Sequence, residues 1–277
     1  MVMKACIFQY WDGKERIGNN AGSDAMKTYA DRIGADYIYE LNSRWQQNNL
    51  KHDPYFGSVK PIFDEKFEKY DYVMFADLDV WPVEGLEENI FDQFYADPSI
   101  DFGICQEINM HILRSTDEVK NNPIGQINDE IWAEWVRKTM SLEVPRDDQG
   151  RVLVYNSGVM VYNVKSFPKI REKLMDIAWF QKQMARVVHK KYYPADQTYM
   201  HAHMLMFNWV VMDYKWNSAL HPGRDYSQRE PYDLRENANF VHVQCFPTDD
   251  LESWLIHKVV NLPVDQWADY PELVRFY

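Results

Sequence analysis

Two hydrophobic periodicities take turns along the chain. Ala5 to Gln9 is a short apolar run that predicts a buried strand, and the polar stretch Asp12 to Ala21 after it reads as a loop. Ala25, Met26, Tyr29, Ala30 and Ile33 then recur at helical spacing, with Ser23 or Asp24 as the expected cap and Gly34 as the stop. Asp36 to Leu41 predicts a second strand. Pro61 suits the first turn of a helix over Ile62 to Tyr70, and Tyr72 to Ala76 is a third strand with an uncharged core. Phe102 to Cys105 supplies a fourth.

The second half is less regular. A helix is expected over Asp129 to Met140, and strand segments over Val152 to Tyr155 and Val159 to Asn163 with a turn around Gly158 between them. Helices follow over Phe167 to Val188 and Ala195 to Phe207, then strands over Val210 to Tyr214 and Phe240 to Val243, and helical segments after Asp249. Strand and helix alternate through the first hundred residues, which predicts an α/β fold with parallel strands joined by right-handed crossovers. The pattern is Rossmann-like but carries no glycine fingerprint.

Composition narrows the class. A chain of 277 residues with 46% hydrophobic content can bury a sizeable core, and no Ser/Gly-rich linker or repeat marks a boundary, so one domain over 1–277 is expected. The formal net charge of -12 repels phosphodiester backbones and anionic lipid, which argues against nucleic-acid and membrane-surface roles. A small anionic ligand would need a bound cation or a placed lysine. Cys6, Cys105 and Cys245 are odd in number and far apart, which fits buried thiols in a reducing compartment. The apolar opening at Ala5 to Tyr10 is too short for a signal peptide, and Met204 to Met212 too short to span a bilayer, so a soluble cytoplasmic protein without a transmembrane segment is expected.

The segment richest in chemistry is Tyr72-Val-Met-Phe-Ala-Asp77-Leu-Asp79-Val-Trp-Pro82, where an apolar strand runs into two aspartates. Alternate residues of an extended backbone share a face, so Asp77 and Asp79 are expected to converge at the carboxyl end of the strand, where open α/β sheets place ligands. Paired hard oxygens suit Mg²⁺ or Mn²⁺. The plainer alternative is that the aspartates cap the turn before Pro82 and an acidic helix from Glu84.

Later residues complete an order. Lys60 precedes the expected helix, Asp77 and Asp79 end the strand, Asn156-Ser157-Gly158 follows, then Asp196-Gln197, then His242. In this order the chain resembles nucleotide-sugar transferases of the GT-A fold, particularly glycosyltransferase family 8 and its glycogenin-like members, across most of residues 5 to 245. The resemblance implies a mixed, mostly parallel central sheet flanked by helices, with a nucleotide-binding half at 1–105 and an acceptor-binding half at 106–277. It implies that Asp77 binds donor ribose and metal, Asp79 and His242 bind metal, and the donor diphosphate completes the shell. Mn²⁺ is the expected ion, with Mg²⁺ as the substitute. Lys60 would bring positive charge to the sugar or phosphates. Asn156 and Gly158 would meet donor-sugar hydroxyls, and Asp196 and Gln197 the reacting sugar and acceptor.

The sequence departs from the family after His242: no Gly-x-x-Lys-Pro-Trp stretch follows, and Lys258 or Arg224 are the substitutes on offer for the diphosphate. Gln9 and Tyr10 end the first strand where such enzymes hold the base, and Gln106-Glu107 ends the fourth. His201 and His203, two apart on a helix, face different directions and make a poor metal pair. The implied reaction moves a hexosyl unit from a UDP-sugar, or less favourably a GDP-sugar, to a saccharide or other hydroxyl acceptor. The family resembled retains anomeric configuration, and no general base for inversion stands out. The rivals are a sugar-1-phosphate nucleotidyltransferase, whose glycine-rich basic signature is missing, and a non-catalytic carbohydrate-binding protein of the same fold.

Overall fold

The computed structural model describes residues 3–11, 17–41, 45–47, 50–51, 54–106, 124–187, 195–220 and 238–243. Strand β1 (Ala5–Trp11) is followed by helix α1 (Ile17–Ile33) and strand β2 (Asp36–Leu41), which lies parallel to β1. A small hairpin, β3 (Gln46–Gln47) with β4 (Leu50–Lys51), and the short helix α2 (Lys60–Phe63) lead to β5 (Tyr72–Ala76), parallel to β1 on its other side. Strand β6 (Val80–Pro82), helix α3 (Asp92–Ala96), β7 (Phe102–Gln106) and helix α4 (Ile124–Met140) follow. The rest comprises β8 (Tyr155–Asn163), α5 (Phe167–Lys173), α6 (Ile177–Val187), α7 (Asp196–Met204), β9 (Trp209–Met212), β10 (Ser218–Leu220) and β11 (Phe240–Val243).

Six strands form the main sheet in the order β2-β1-β5-β8-β7-β9. Strand β8 runs against β5 and β7, and β7 pairs in parallel with β9. The sheet is therefore mixed and mostly parallel, as expected, and strands from both expected halves meet in it. Both faces are covered, which explains why its inner strands read as continuous apolar runs instead of alternating. Ala5, Ile7, Tyr72, Met74, Val159 and Val161 pack with Met26, Tyr29 and Ala30 of α1. Cys6, Phe8, Val73, Phe75, Met160 and Tyr162 face the other core with Phe56, Val59 and Ile62.

Local chemistry explains where several elements stop, and where expectations fail. Gly34 ends α1 with φ +71° while the Ala35 N–H reaches back to the Ala30 carbonyl at 2.9 Å, the left-handed cap that glycine favours. Helix α1 starts at Ile17, six residues before the expected Ser23, through a stretch of Gly and Asn with poor helix propensity. Packing supplies what propensity lacks: the Gly22 position lies against the Leu78 carbonyl and the Trp81 indole. The helix expected over Ile62 to Tyr70 breaks at Asp64, whose backbone is extended and whose side chain accepts the Lys66 N–H at 3.1 Å. Likewise the helix expected over Phe167 to Val188 divides at Leu174, and Asp176 restarts it by accepting the Trp179 N–H at 2.7 Å. The helical segments expected after Asp249, and Cys245, lie outside the described residues. Cys6 and Cys105 are buried free thiols.

The largest correction concerns Asn156-Ser157-Gly158, which is no turn. Strand β8 passes through it without interruption, and the irregularity is a bulge: Ile104 pairs with Met160 while the next residue, Cys105, pairs with Asn156. Bulges re-aim side chains beside functional sites. A second sheet, β10-β11-β6, closes over this end of the main sheet and sets His242 opposite Val80 and Ala219.

Candidate metal centre

Asp77 leaves β5 and enters a tight turn in which the Val80 N–H donates to the Asp77 carbonyl at 3.1 Å. The two aspartates thus converge because the chain turns, and not because an extended strand alternates its side chains. The turn is held from below: Gln9 donates from Nε2 to the same carbonyl at 2.9 Å and accepts from the Tyr37 hydroxyl at 2.7 Å. The Asp77 N–H donates to the Gly158 carbonyl at 2.8 Å, which joins the turn to β8.

His242 arrives from β11 and completes a trio. One ligand atom from each of Asp77, Asp79 and His242 lies within 4.8 Å of the others, a grouping in which two carboxylates and an imidazole suit a divalent first-row ion. The His242 Nε2 is 3.3 Å from Asp79 Oδ1 and 3.9 Å from Asp77 Oδ2, and its Nδ1 is 2.9 Å from Asn217 Oδ1. Asn217 in turn donates from Nδ2 to Asn156 Oδ1 at 2.9 Å. Gly158 is required at its position because a Cβ there would sit 2.6 Å from His242 Nδ1 and 2.7 Å from Asn156 Oδ1.

Asp196 stands at the start of α7, buried, with its carboxylate taking the Ser58 hydroxyl at 2.6 Å and a further hydrogen bond from the Ser157 side chain. Burial pushes the Asp196 carboxyl up to about 6 against these hydrogen bonds. Burial, then the neighbouring Asp79 carboxylate, also push Asp77 up; His242 opposes them and Asp196 adds to them. Since 42% of the Asp77 side chain meets solvent, the burial part is screened and like-charge crowding is the sturdier cause. A cation held among these groups would relieve that crowding.

Asn156, Ser157 and Gly158, at the bulge, therefore serve four neighbours. Asn156 holds Asn217, Ser157 holds Asp196, and Gly158 makes room for His242 while its carbonyl receives Asp77. Gln9, expected at the base, is fully buried beneath the aspartate turn with both ends of its amide engaged. Tyr10 is also buried, its hydroxyl accepting the Trp45 N–H at 3.3 Å. Lys60 lies against the Tyr10 ring at 6.0 Å, paired with Glu40, which also pairs with Lys66. Burial pulls the Lys60 ammonium down in pKa. Gln197 and Gln106 are half-buried at the ends of α7 and β7. Glu107, Arg224 and Lys258 lie outside the described residues.

His201 and His203 diverge as expected. His201 packs between Trp132 and Tyr155, while the His203 ring bridges the Tyr199 carbonyl and the Met175 N–H. Both are buried and pushed down, to about 3 and about 4, so both stay neutral. Two residues of the site carried no signal in the sequence: Asn217 and Ser58 belong to no motif and matter only through partners far away in the chain.

No family model matches this sequence, and no curated protein matches it. Solved structures do. The chain is similar to a glycosyltransferase involved in the glycosylation of the major capsid of PBCV-1, with TM-score 0.50 and 11% identity over 93% of this chain and 98% of that one. It is similar to the WbbM bifunctional glycosyltransferase, with TM-score 0.53 and 11% identity over 99% of this chain and 52% of that one. Mouse xyloside xylosyltransferase 1 matches with TM-score 0.51 and 14% identity over 88% of this chain and 98% of that one. At such identities the likeness is one of fold, and the fold of this chain is the GT-A-like α/β fold of glycosyltransferases.

Proposed function

We propose that this chain is a divalent-metal-dependent glycosyltransferase that moves a hexosyl unit from a UDP-sugar, or a GDP-sugar, to a saccharide or other hydroxyl acceptor. The observation that carries this reading is the Asp77, Asp79 and His242 trio at the mouth of a sheet that glycosyltransferases share. Asp77, Asp79 and His242 would hold Mn²⁺, or Mg²⁺, with donor diphosphate oxygens filling the remaining positions. Bound there, the ion would act as a Lewis acid that neutralises charge building on the nucleoside-diphosphate leaving group, which favours the transition state over the ground state.

The protein's own groups do the rest. Asp196, anchored by Ser58 and Ser157, would face the sugar and orient its hydroxyls or stabilise the glycosyl centre as the bond to phosphate breaks. Gln197 would sit toward the acceptor. Lys60 would exchange Glu40 for a donor phosphate. The family 8 likeness in the order of motifs supports these roles, and with them retention of anomeric configuration.

Release of nucleoside diphosphate from a panel of nucleotide sugars, with and without Mn²⁺, tests the proposal. Mn²⁺-dependent release from a UDP- or GDP-sugar, accelerated by a saccharide, is the expected result. Pyrophosphate release from a nucleoside triphosphate and a sugar 1-phosphate would favour the nucleotidyltransferase instead. Saccharide binding with no turnover on any donor would favour a non-catalytic protein.

A further inference from the structure

The proton of the His242 ring is assigned by a relay of amides that starts at a backbone group. The Gly158 N–H donates to Asn156 at 2.7 Å, and a backbone N–H can only donate, so the Asn156 atom it meets is the oxygen. Asn217 meets that same oxygen at 2.9 Å and must present its NH₂ group there. The Asn217 oxygen is thereby turned toward His242 Nδ1 at 2.9 Å. An amide oxygen only accepts, so in the neutral ring Nδ1 carries the proton and Nε2 keeps its lone pair. Nε2 is the nitrogen that faces Asp79 and Asp77.

All three side chains of the relay are at least nine-tenths buried, so water competes poorly for these bonds. The opposite tautomer would set a lone pair on Nδ1 against the Asn217 oxygen. Rotating the Asn217 amide to relieve that contact would set two oxygens together at Asn156, and rotating Asn156 as well would set its NH₂ against the Gly158 N–H. Each alternative leaves a buried clash, and only one arrangement satisfies every member.

We propose that Asn217 is the positioning residue for His242, and that Asn156 acts through it, so that the pair presents the Nε2 lone pair of His242 to a divalent cation. This rests on the metal reading above and gives Asn156 a task besides contact with a sugar. Outer-shell partners of this kind set ring orientation and ligand basicity, and their loss costs roughly 10- to 100-fold in metal affinity.

The test uses the full chain labelled with ¹⁵N-histidine, metal-free and at a pH where imidazoles are neutral, with the His242 resonances identified by their absence in His242→Gln. The expected spectrum has the proton on Nδ1. Asn217→Leu should lose that signature and bind Mn²⁺ roughly 10- to 100-fold more weakly by titration calorimetry. Asn156→Asp, which keeps an acceptor for both Gly158 and Asn217, should retain the signature, while Asn156→Leu should not. Mn²⁺ binding together with an Nε2–H spectrum in the unaltered protein overturns the relay alone. Failure of the unaltered protein to bind Mn²⁺ overturns the metal reading, and the relay's role with it, whatever the tautomer. The spectrum of the unaltered protein decides the matter even if Asn217→Leu does not fold.

Discussion

Gly158→Ala is the most economical perturbation of the site, because it adds one methyl group where three elements meet. The new Cβ would stand 2.6 Å from His242 Nδ1 and 2.7 Å from Asn156 Oδ1, whereas ordinary contact begins at 3.4 Å. The nearest ring atom, His242 Cε1, would be at 2.4 Å, so strand β8 or the His242 ring must yield by about 1.0 Å. Neither is free to do so: His242 is tied to Asn217, and the Gly158 N–H and carbonyl are tied to Asn156 and Asp77. Overpacking of this kind costs about 1–3 kcal/mol in stability. A displaced ring should also weaken Mn²⁺ binding by the roughly 10- to 100-fold expected when a ligand loses its support. Urea unfolding of the metal-free protein reads the first quantity and calorimetric titration the second. Removing the ring should remove its share of the penalty and leave the Asn156 contact, so Gly158→Ala should cost less in a His242→Ala background than in the unaltered protein. The same stability loss in both backgrounds, or Mn²⁺ affinity unchanged in Gly158→Ala, would refute the close approach of Gly158 to His242.

Three further outcomes follow from the same geometry. Asp79→Ala should abolish Mn²⁺-dependent release of nucleoside diphosphate while changing unfolding free energy by less than about 1 kcal/mol, since 33% of its side chain is exposed; full activity in this variant sinks the metal assignment. Asp196, held up at about 6 against an ordinary 3.8, binds its proton more tightly in the folded chain than in the unfolded one. Its contribution to stability is complete well below pH 3.8 and is lost as pH rises through about 6, so Asp196→Asn should reduce the stability difference between pH 4 and pH 8 by about 2.4 kcal/mol in urea titrations. An unaltered difference would show that the carboxyl is not held up. Ser58→Ala removes the 2.6 Å donor to Asp196, which should raise that carboxyl further and cost about 1–3 kcal/mol at neutral pH, read as an upward move of the same stability transition.

Residue order alone located the inner strands of the main sheet, because a strand covered on both faces must be apolar throughout and such runs are visible at Ala5, Tyr72 and Val159. It also placed two carboxylates at the end of one such run, stopped α1 at Gly34 and brought His242 under suspicion through the order of motifs. It misread Asn156-Ser157-Gly158 as a turn, since Asn and Gly favour turns wherever local preference is unopposed. Pairing with β5 and β7 opposed it here and carried β8 straight through. Nothing in the sequence could nominate Asn217 or Ser58. Their partners stand 25 and 61 residues away for Asn217 and 138 for Ser58, and an amide or hydroxyl at such a distance looks like any other. Local pattern decides which segments are strand or helix because that choice is made over a few neighbouring residues. Which carboxylate, imidazole and amide come within hydrogen-bonding reach is decided by packing those segments together, and only the tertiary structure records it.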